Sequence, residues 1–210
     1  MIILGLDTCL SACSVAVSDG ARVLAWRSEE MARGHQERLA PMARRVMAEA
    51  GLAFADLERI GVTIGPGSFT GLRVGLAFAK GLASALGIPL VGVGALEALA
   101  GEAGGGLVFA AVDARRDQVY LQGFEDGRPL MAPDALELGT AAARLAEIAA
   151  GRPLTLVGSG APLLADFVPA ARVLTPAGAD ARQVARLAAV RAPAPARPLY
   201  LRAPDARLPA

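Results

Sequence analysis

One pattern occurs twice in this sequence and constrains the fold more than any other feature. An apolar run over residues 2–6 ends in Asp7, and a second apolar run over residues 107–112 ends in Asp113. In both places a strand-like segment follows and closes on a hairpin-type turn, Asp19-Gly20 in the first case and Asp126-Gly127 in the second. The order strand, acid, strand and turn is therefore repeated, and this repetition predicts two related lobes.

The lobes are expected to be α/β, with mixed sheets flanked by helices. Apolar residues recur at helical spacing over residues 39–50, 70–86, 140–150 and 181–190. A chain of 210 residues, 54% of them hydrophobic, can bury two cores. The glycine run at residues 104–106 reads as a linker, so we predict an N-terminal lobe over residues 1–102 and a C-terminal lobe over residues 107–210 that ends in an arginine-rich tail.

The strand-end acids are candidates for a degenerate nucleotide site. Asp7 with Thr8, and Asp113, stand where nucleotide-binding folds place a carboxylate near a metal-bound phosphate. Neither following turn contains the glycine that lets backbone approach a phosphate closely. An Asp at a strand end also commonly caps a turn, so an independent ATPase or sugar-kinase-like phosphotransferase that uses Asp7 and Asp113 remains an alternative.

The glycine-rich stretch over residues 65–73 resembles a phosphate loop only superficially, because the P-loop spacing and its lysine are missing. Ser68 or Thr70 is suited to cap the helix that follows. Small residues recur every fourth position along that helix, at Gly71, Gly75, Ala79 and Ala83. A helix so apolar must be buried on more than one side, either by the chain's own core or by a second chain.

The sequence offers few catalytic groups. His35 is the only histidine, so a two-histidine metal site is excluded, and Cys9, Cys13 and His35 would lack a fourth zinc ligand. Ser68 has no Gly-x-Ser-x-Gly elbow around it, which argues against a hydrolase or peptidase. We therefore expect neither a catalytic residue nor a bound metal, and we interpret the two cysteines as small core residues.

The net charge of +1 gives the whole molecule no strong field for nucleic acid or membranes. The only basic region runs from residue 171 to the end, with seven arginines against two aspartates. Such a region is usually a solvated face, and direct tRNA binding through it is a weaker alternative. The longest uncharged stretch, residues 81–96, is too short and too interrupted to span a bilayer, and no leader is recognised, so we expect a cytoplasmic protein.

Residues 65–75, GPGSFTGLRVG, resemble the most recognisable signature of the TsaB (YeaZ) family of bacterial tRNA threonylcarbamoyladenosine biosynthesis proteins. Further similarity lies in residues 3–8, 34–39, 41–42, 113–115, 118–120, 158–160 and 198–202, so the likeness spans nearly the whole chain. Cys9-Leu10 departs from the small or hydroxyl residues of many relatives, which weakens the idea of phosphate binding at Asp7.

The resemblance implies two actin/Hsp70-like lobes (the ASKHA, ribonuclease H-like fold), the second reduced. It implies a non-catalytic partner of the paralogue TsaD and the small ATPase TsaE, which are needed to transfer threonylcarbamoyl to adenosine 37 of tRNAs that read codons beginning with A. It further implies that tRNA is met only through the complex, that any ATP or ADP binds at the joint with the partner, and that the free chain forms a homodimer. The expected interface uses helices 35–50 and 70–86, with the candidates His35, Leu39, Met42, Val46, Gly71, Leu72, Gly75 and Ala79.

Overall fold

A computed structural model describes residues 1–20, 22–193 and 195–202. The first half of the chain forms a five-stranded mixed sheet in the order β3-β2-β1-β4-β5, in which β1 is antiparallel to β2 and parallel to β4. Its strands are β1 (Ile3–Asp7), β2 (Ala12–Ser18), β3 (Val23–Glu30), β4 (Arg59–Thr63) and β5 (Leu90–Val93).

The second sheet repeats this arrangement. Its order is β11-β10-β6-β7-β8, with β9 also paired to β7, and its first strand β6 is antiparallel to β7 and parallel to β10. Its strands are β6 (Leu107–Arg115), β7 (Gln118–Glu125), β8 (Arg128–Pro129), β9 (Asp134–Glu137), β10 (Thr155–Val157) and β11 (Arg172–Leu174). The duplicated pattern of the sequence is thus a duplicated strand order.

Helices cover both sheets, as α1 (His35–Glu49), α2 (Phe69–Leu86), α3 (Ala95–Ala103), α4 (Leu138–Ala149), α5 (Ala161–Ala165) and α6 (Ala181–Val190). Helices α1 and α2 share an apolar cluster with the first sheet, and α4 and α5 share one with the second. A third cluster joins α3 and α6 to strands of both sheets. Among the described residues, no helix is long and apolar enough to cross a membrane.

Helix α6 lies against the first sheet, although its sequence position falls in the second half of the chain. Gly5 and Gly61 permit this close approach, because a Cβ on Gly5 would lie 2.3 Å from the Ala181 carbonyl oxygen and one on Gly61 would lie 2.7 Å from the Ala188 methyl. The sequence-based assignment of this helix to the second lobe is therefore wrong. The proposed division near residues 102 and 107 stays a prediction, and the last part of the arginine-rich tail, residues 203–210, lies outside the described residues.

Candidate functional site

The Asp7 carboxylate at the end of β1 is fully buried and hydrogen-bonded within the protein. One oxygen accepts from the Thr63 hydroxyl at 2.7 Å and from the Cys9 N–H at 3.0 Å, and the other accepts from the Ala179 N–H at 3.1 Å. Burial outweighs these bonds and raises the pKa of Asp7 from 3.8 to about 6. Asp7 thus joins β1, β4 and the approach to α6, and its side chain is not presented to a cleft.

Thr8 is also committed to the interior, where it lies against the start of α2. Its hydroxyl donates to the Gly71 carbonyl at 2.7 Å. A Cβ on Gly71 would lie 2.1 Å from the Thr8 carbonyl oxygen, and one on Gly75 would lie 2.5 Å from the Thr8 hydroxyl oxygen. The two glycines therefore allow α2 to approach the backbone of the first lobe itself.

The eight predicted interface residues are all buried by the chain's own fold. In α1 these are His35, Leu39, Met42 and Val46, and in α2 they are Gly71, Leu72, Gly75 and Ala79. Buried in this way, these side chains offer little surface to another chain, and their choice as interface residues stays a prediction, because helical periodicity identifies an apolar face but does not say what covers it. That α1 and α2 carry an interface also remains a prediction. Such an interface would have to use the faces of these helices that the chain's own fold leaves exposed.

Helix α2 carries a second apolar stripe on its outer face, which sequence reasoning missed. Ala77, Gly81 and Ala85 are exposed, and Val74 and Phe78 beside them are only half-buried. These positions are spaced by three and four residues, so they share one side of the helix. We call the set of residues 74, 77, 78, 81 and 85 the outer α2 stripe. Its signal was visible in the sequence but could not be separated from the core-facing stripe.

Asp113 lies two residues before the end of β6, beside a cleft of about 400 Å³ between the two halves. Its carboxylate accepts from the Arg115 N–H at 2.8 Å and from the Arg115 guanidinium at 3.1 Å, and its N–H donates to the Ser159 hydroxyl. Ser68 of the loop before α2 faces the same cleft. Of the three candidate nucleotide residues, only Asp113 lines a cleft, so the structure does not bring the three together as one open site.

The two cysteines are buried free thiols. Burial is the largest cause of the raised pKa of both, and it brings the pKa of Cys13 to about 12. Thiolate reactivity at neutral pH is therefore low. Within the described residues, no three His, Cys, Asp or Glu side chains lie close enough to share a metal ion.

The end of the described chain ties the two halves together. The Leu199 N–H donates to the Ile64 carbonyl at 2.7 Å, and an Arg202 guanidinium N–H donates to the Ala114 carbonyl at 2.7 Å. Tyr200 lies against α2, with its ring centroid 5.7 Å from that of Phe69. The arginine-rich segment has a structural role at these positions.

Comparison of sequences gives two kinds of match. The family model described as TsaD, tRNA N6-adenosine threonylcarbamoyltransferase, matches residues 28–135. An uncharacterized protein of Mycobacterium tuberculosis is 35% identical over 98% of this chain and 93% of its own length. The tRNA threonylcarbamoyladenosine biosynthesis protein TsaB of Escherichia coli is 39% identical over 57% of this chain and 53% of its own length.

Solved structures extend the likeness to the full fold. YeaZ from Pseudomonas aeruginosa matches with a TM-score of 0.78 and 30% identity over 95% of this chain and 99% of that one. A ROK hexokinase from Thermus thermophilus, at 19% identity, shares the fold with a TM-score of 0.52 over 90% of this chain and 97% of that one. The expected actin-like (ASKHA) fold of mixed sheets flanked by helices is confirmed. The likeness to YeaZ and to TsaB shows that the chain belongs to the TsaB (YeaZ) family.

Proposed function

We propose that this chain is a non-catalytic subunit in tRNA threonylcarbamoyladenosine biosynthesis, acting with TsaD and TsaE homologues in the transfer of threonylcarbamoyl to adenosine 37. The names of its TsaB relatives support the pathway. The burial and hydrogen bonding of Asp7 support a non-catalytic role. The carboxylate expected at the nucleotide site instead accepts hydrogen bonds from Thr63, Cys9 and Ala179 inside the fold. A phosphotransferase that depends on Asp7 is correspondingly disfavoured.

The main support for this proposal is the outer α2 stripe. We propose that a TsaD homologue docks on it. The TsaD model matches residues 28–135, which include α1 and α2, so the two proteins resemble each other over the docking helices. Similar surfaces can pair about a pseudo-two-fold axis, as identical ones do in a symmetric dimer. By the same reasoning, the free chain pairs with a second copy of itself when TsaD is absent.

Three further parts of the proposal follow from this arrangement. The complex works in the cytoplasm, where it meets its tRNA. The chain contributes to tRNA contact only through the complex, and the bond from Arg202 of its basic terminal segment to the Ala114 carbonyl supports this part of the proposal. Any ATP or ADP binds at the joint with the partner, because Asp7 and Thr8 are closed off inside the first lobe.

A reconstitution that omits only this chain tests the function. The chain, the TsaD and TsaE homologues of the same organism, ATP, threonylcarbamoyl adenylate and unmodified tRNA are combined, and modified adenosine is measured by mass spectrometry. We expect modification with all components and its loss without this chain. Undiminished modification without the chain would refute the proposed role.

The variant Gly81→Arg tests the docking face in two measurements, namely co-elution of the chain with the TsaD homologue and the reconstituted modification assay. A Cβ at Gly81 meets nothing within 4 Å, so the substitution places a charge on the outer α2 stripe without disturbing the monomer. Gly139→Arg in α4 is the matched control, since Gly139 is also exposed and also has open space around it. We expect only Gly81→Arg to abolish co-elution with TsaD and to lower modification. Equal behaviour of the two variants would exclude the stripe as the docking face.

A further inference from the structure

Exposed cations border the outer α2 stripe on both of its long sides. On one side lie Arg73 and Lys80 of α2, which face the C-terminal segment of the described chain. Helix α1 flanks the other side, because Val74 of the stripe lines a pocket together with the first residues of α1. The exposed face of α1 carries Arg44. We call Arg44, Arg73 and Lys80 the cationic border.

The cationic border lies outside the ion pairs of this region. The paired charges of α1 point toward β3, where Arg38 pairs with Glu29 and Glu49 pairs with Arg27. Helix α2 contains neither Asp nor Glu. Among the residues that the structure describes, no carboxylate lies within ion-pair distance of the cationic border. Its positive charges are therefore not neutralised within the chain.

The charge of this surface differs from that of the whole molecule. On the exposed faces of α1 and α2, the three cations of the border stand against Glu37, the one acidic side chain of these two helices that is outside an ion pair. The entire chain, by contrast, has a net charge of only +1. Charges concentrated on one surface steer association even when the net charge is close to zero. The surface around the stripe thus attracts an acidic counterpart.

We propose that the cationic border makes the outer α2 stripe selective for a partner surface that carries acidic side chains around an apolar centre. This inference rests on the proposed function, and it assigns the acidic surface to the TsaD homologue. A second copy of the chain is the weaker occupant, because a symmetric dimer brings the same patch to both sides of its interface. Since cations lie on both sides of the stripe, turning the second copy around does not remove the repulsion.

Reversal of one border charge tests the proposal, because it acts in opposite directions on the two occupants. Lys80→Glu should slow association with the TsaD homologue by about threefold at low salt, the scale of an exposed charge pair. The same variant should strengthen self-association, because the new carboxylate meets cations of the second copy. Arg172→Glu on the exposed edge strand β11 is the matched control with the same change in net charge, and it should alter neither. Biolayer interferometry measures the first effect and sedimentation velocity the second.

Salt separates the role of charge from docking itself. Raising sodium chloride from about 50 to about 500 mM should slow association of the wild type with the TsaD homologue and strengthen its self-association, because salt screens both the attraction and the repulsion. If neither salt nor Lys80→Glu alters association with the TsaD homologue, the proposal is overturned while docking on the stripe stands. Equal effects of Lys80→Glu and Arg172→Glu also overturn it, because net charge then explains them. Failure of the wild type to bind the TsaD homologue at any salt concentration refutes both the proposal and the docking.

Discussion

The buried acid at the end of β1 shows what sequence alone leaves open about a single residue. The sequence correctly places Asp7 at the end of the first strand, which is where nucleotide-binding folds carry a carboxylate. Its partners could not be predicted, because the Ala179 N–H that meets it comes from 172 residues further along the chain. Sequence spacing describes neighbours along the chain, whereas the burial and hydrogen bonding of a carboxylate depend on contacts with residues that are distant in the sequence.

The raised pKa of Asp7 predicts that stability falls as pH rises through weakly acidic values. A carboxyl with a higher pKa in the folded than in the unfolded state contributes stability that is complete below the unfolded pKa and is lost as pH rises through the folded one. With a folded pKa of about 6 against 3.8, this loss is about 3 kcal/mol. Burial also raises the pKa of the partly exposed Glu102 to about 7, which adds a decline in the same direction at slightly higher pH.

Urea unfolding between pH 4 and 7.5 measures this effect. Asp7→Asn should flatten the decline up to about pH 6, and it should lower stability throughout, because one amide oxygen cannot accept from both the Cys9 and the Ala179 N–H. Glu102→Gln should remove only the part of the decline that extends to about pH 7. If the unfolding free energy of the wild type changed with pH in parallel with that of Asp7→Asn, the decline could not be assigned to Asp7.

At the scale of elements, helix α2 shows that the bounds of a helix depend on nearby residues in the sequence, whereas the packing of its faces does not. Its predicted range, residues 70–86, differs by one residue from the observed Phe69–Leu86, because its cap at Ser68 and its left-handed end at Gly87 are signals within the sequence. The covering of its small-residue face depends on Thr8, which lies 63 residues away from Gly71. Helix α3 was missed for another reason, since its residues are apolar nearly all round and give no amphipathic stripe.

Two glycines of α2 test which face is internal. Gly71→Ala should destabilise the free chain by about 2 kcal/mol or more, because its methyl would overlap the Thr8 carbonyl oxygen. Gly81→Ala should stabilise it by roughly 0.5–1 kcal/mol, because alanine favours a helix over glycine and the space at this site is open. Thermal unfolding of both variants measures the difference. Similar melting temperatures would mean that the face at Gly71 is not packed against Thr8.

At the scale of the whole molecule, the repeated strand order was predictable, but the exchange of a helix between the halves was not. Helix α6 is held on the first sheet at both ends. The Ala181 N–H donates to the Ser14 hydroxyl of β2 at 3.1 Å, and the Arg59 guanidinium of β4 donates to the Ala188 and Arg191 carbonyls at 2.7 and 2.9 Å. A cation at these carbonyls also opposes the negative end of the helix dipole.

This exchange predicts that the first half of the chain cannot fold alone. A fragment of residues 1–106 lacks α6 and would expose the faces of β1, β2 and β4 that α6 covers, including the closely approached Gly5 and Gly61. We expect it to show no cooperative thermal transition by circular dichroism, and we expect addition of a fragment of residues 107–210 to restore one. A cooperative transition in fragment 1–106 alone would show that the first sheet is stable without α6, and the boundary near residue 102 would then separate two independent lobes.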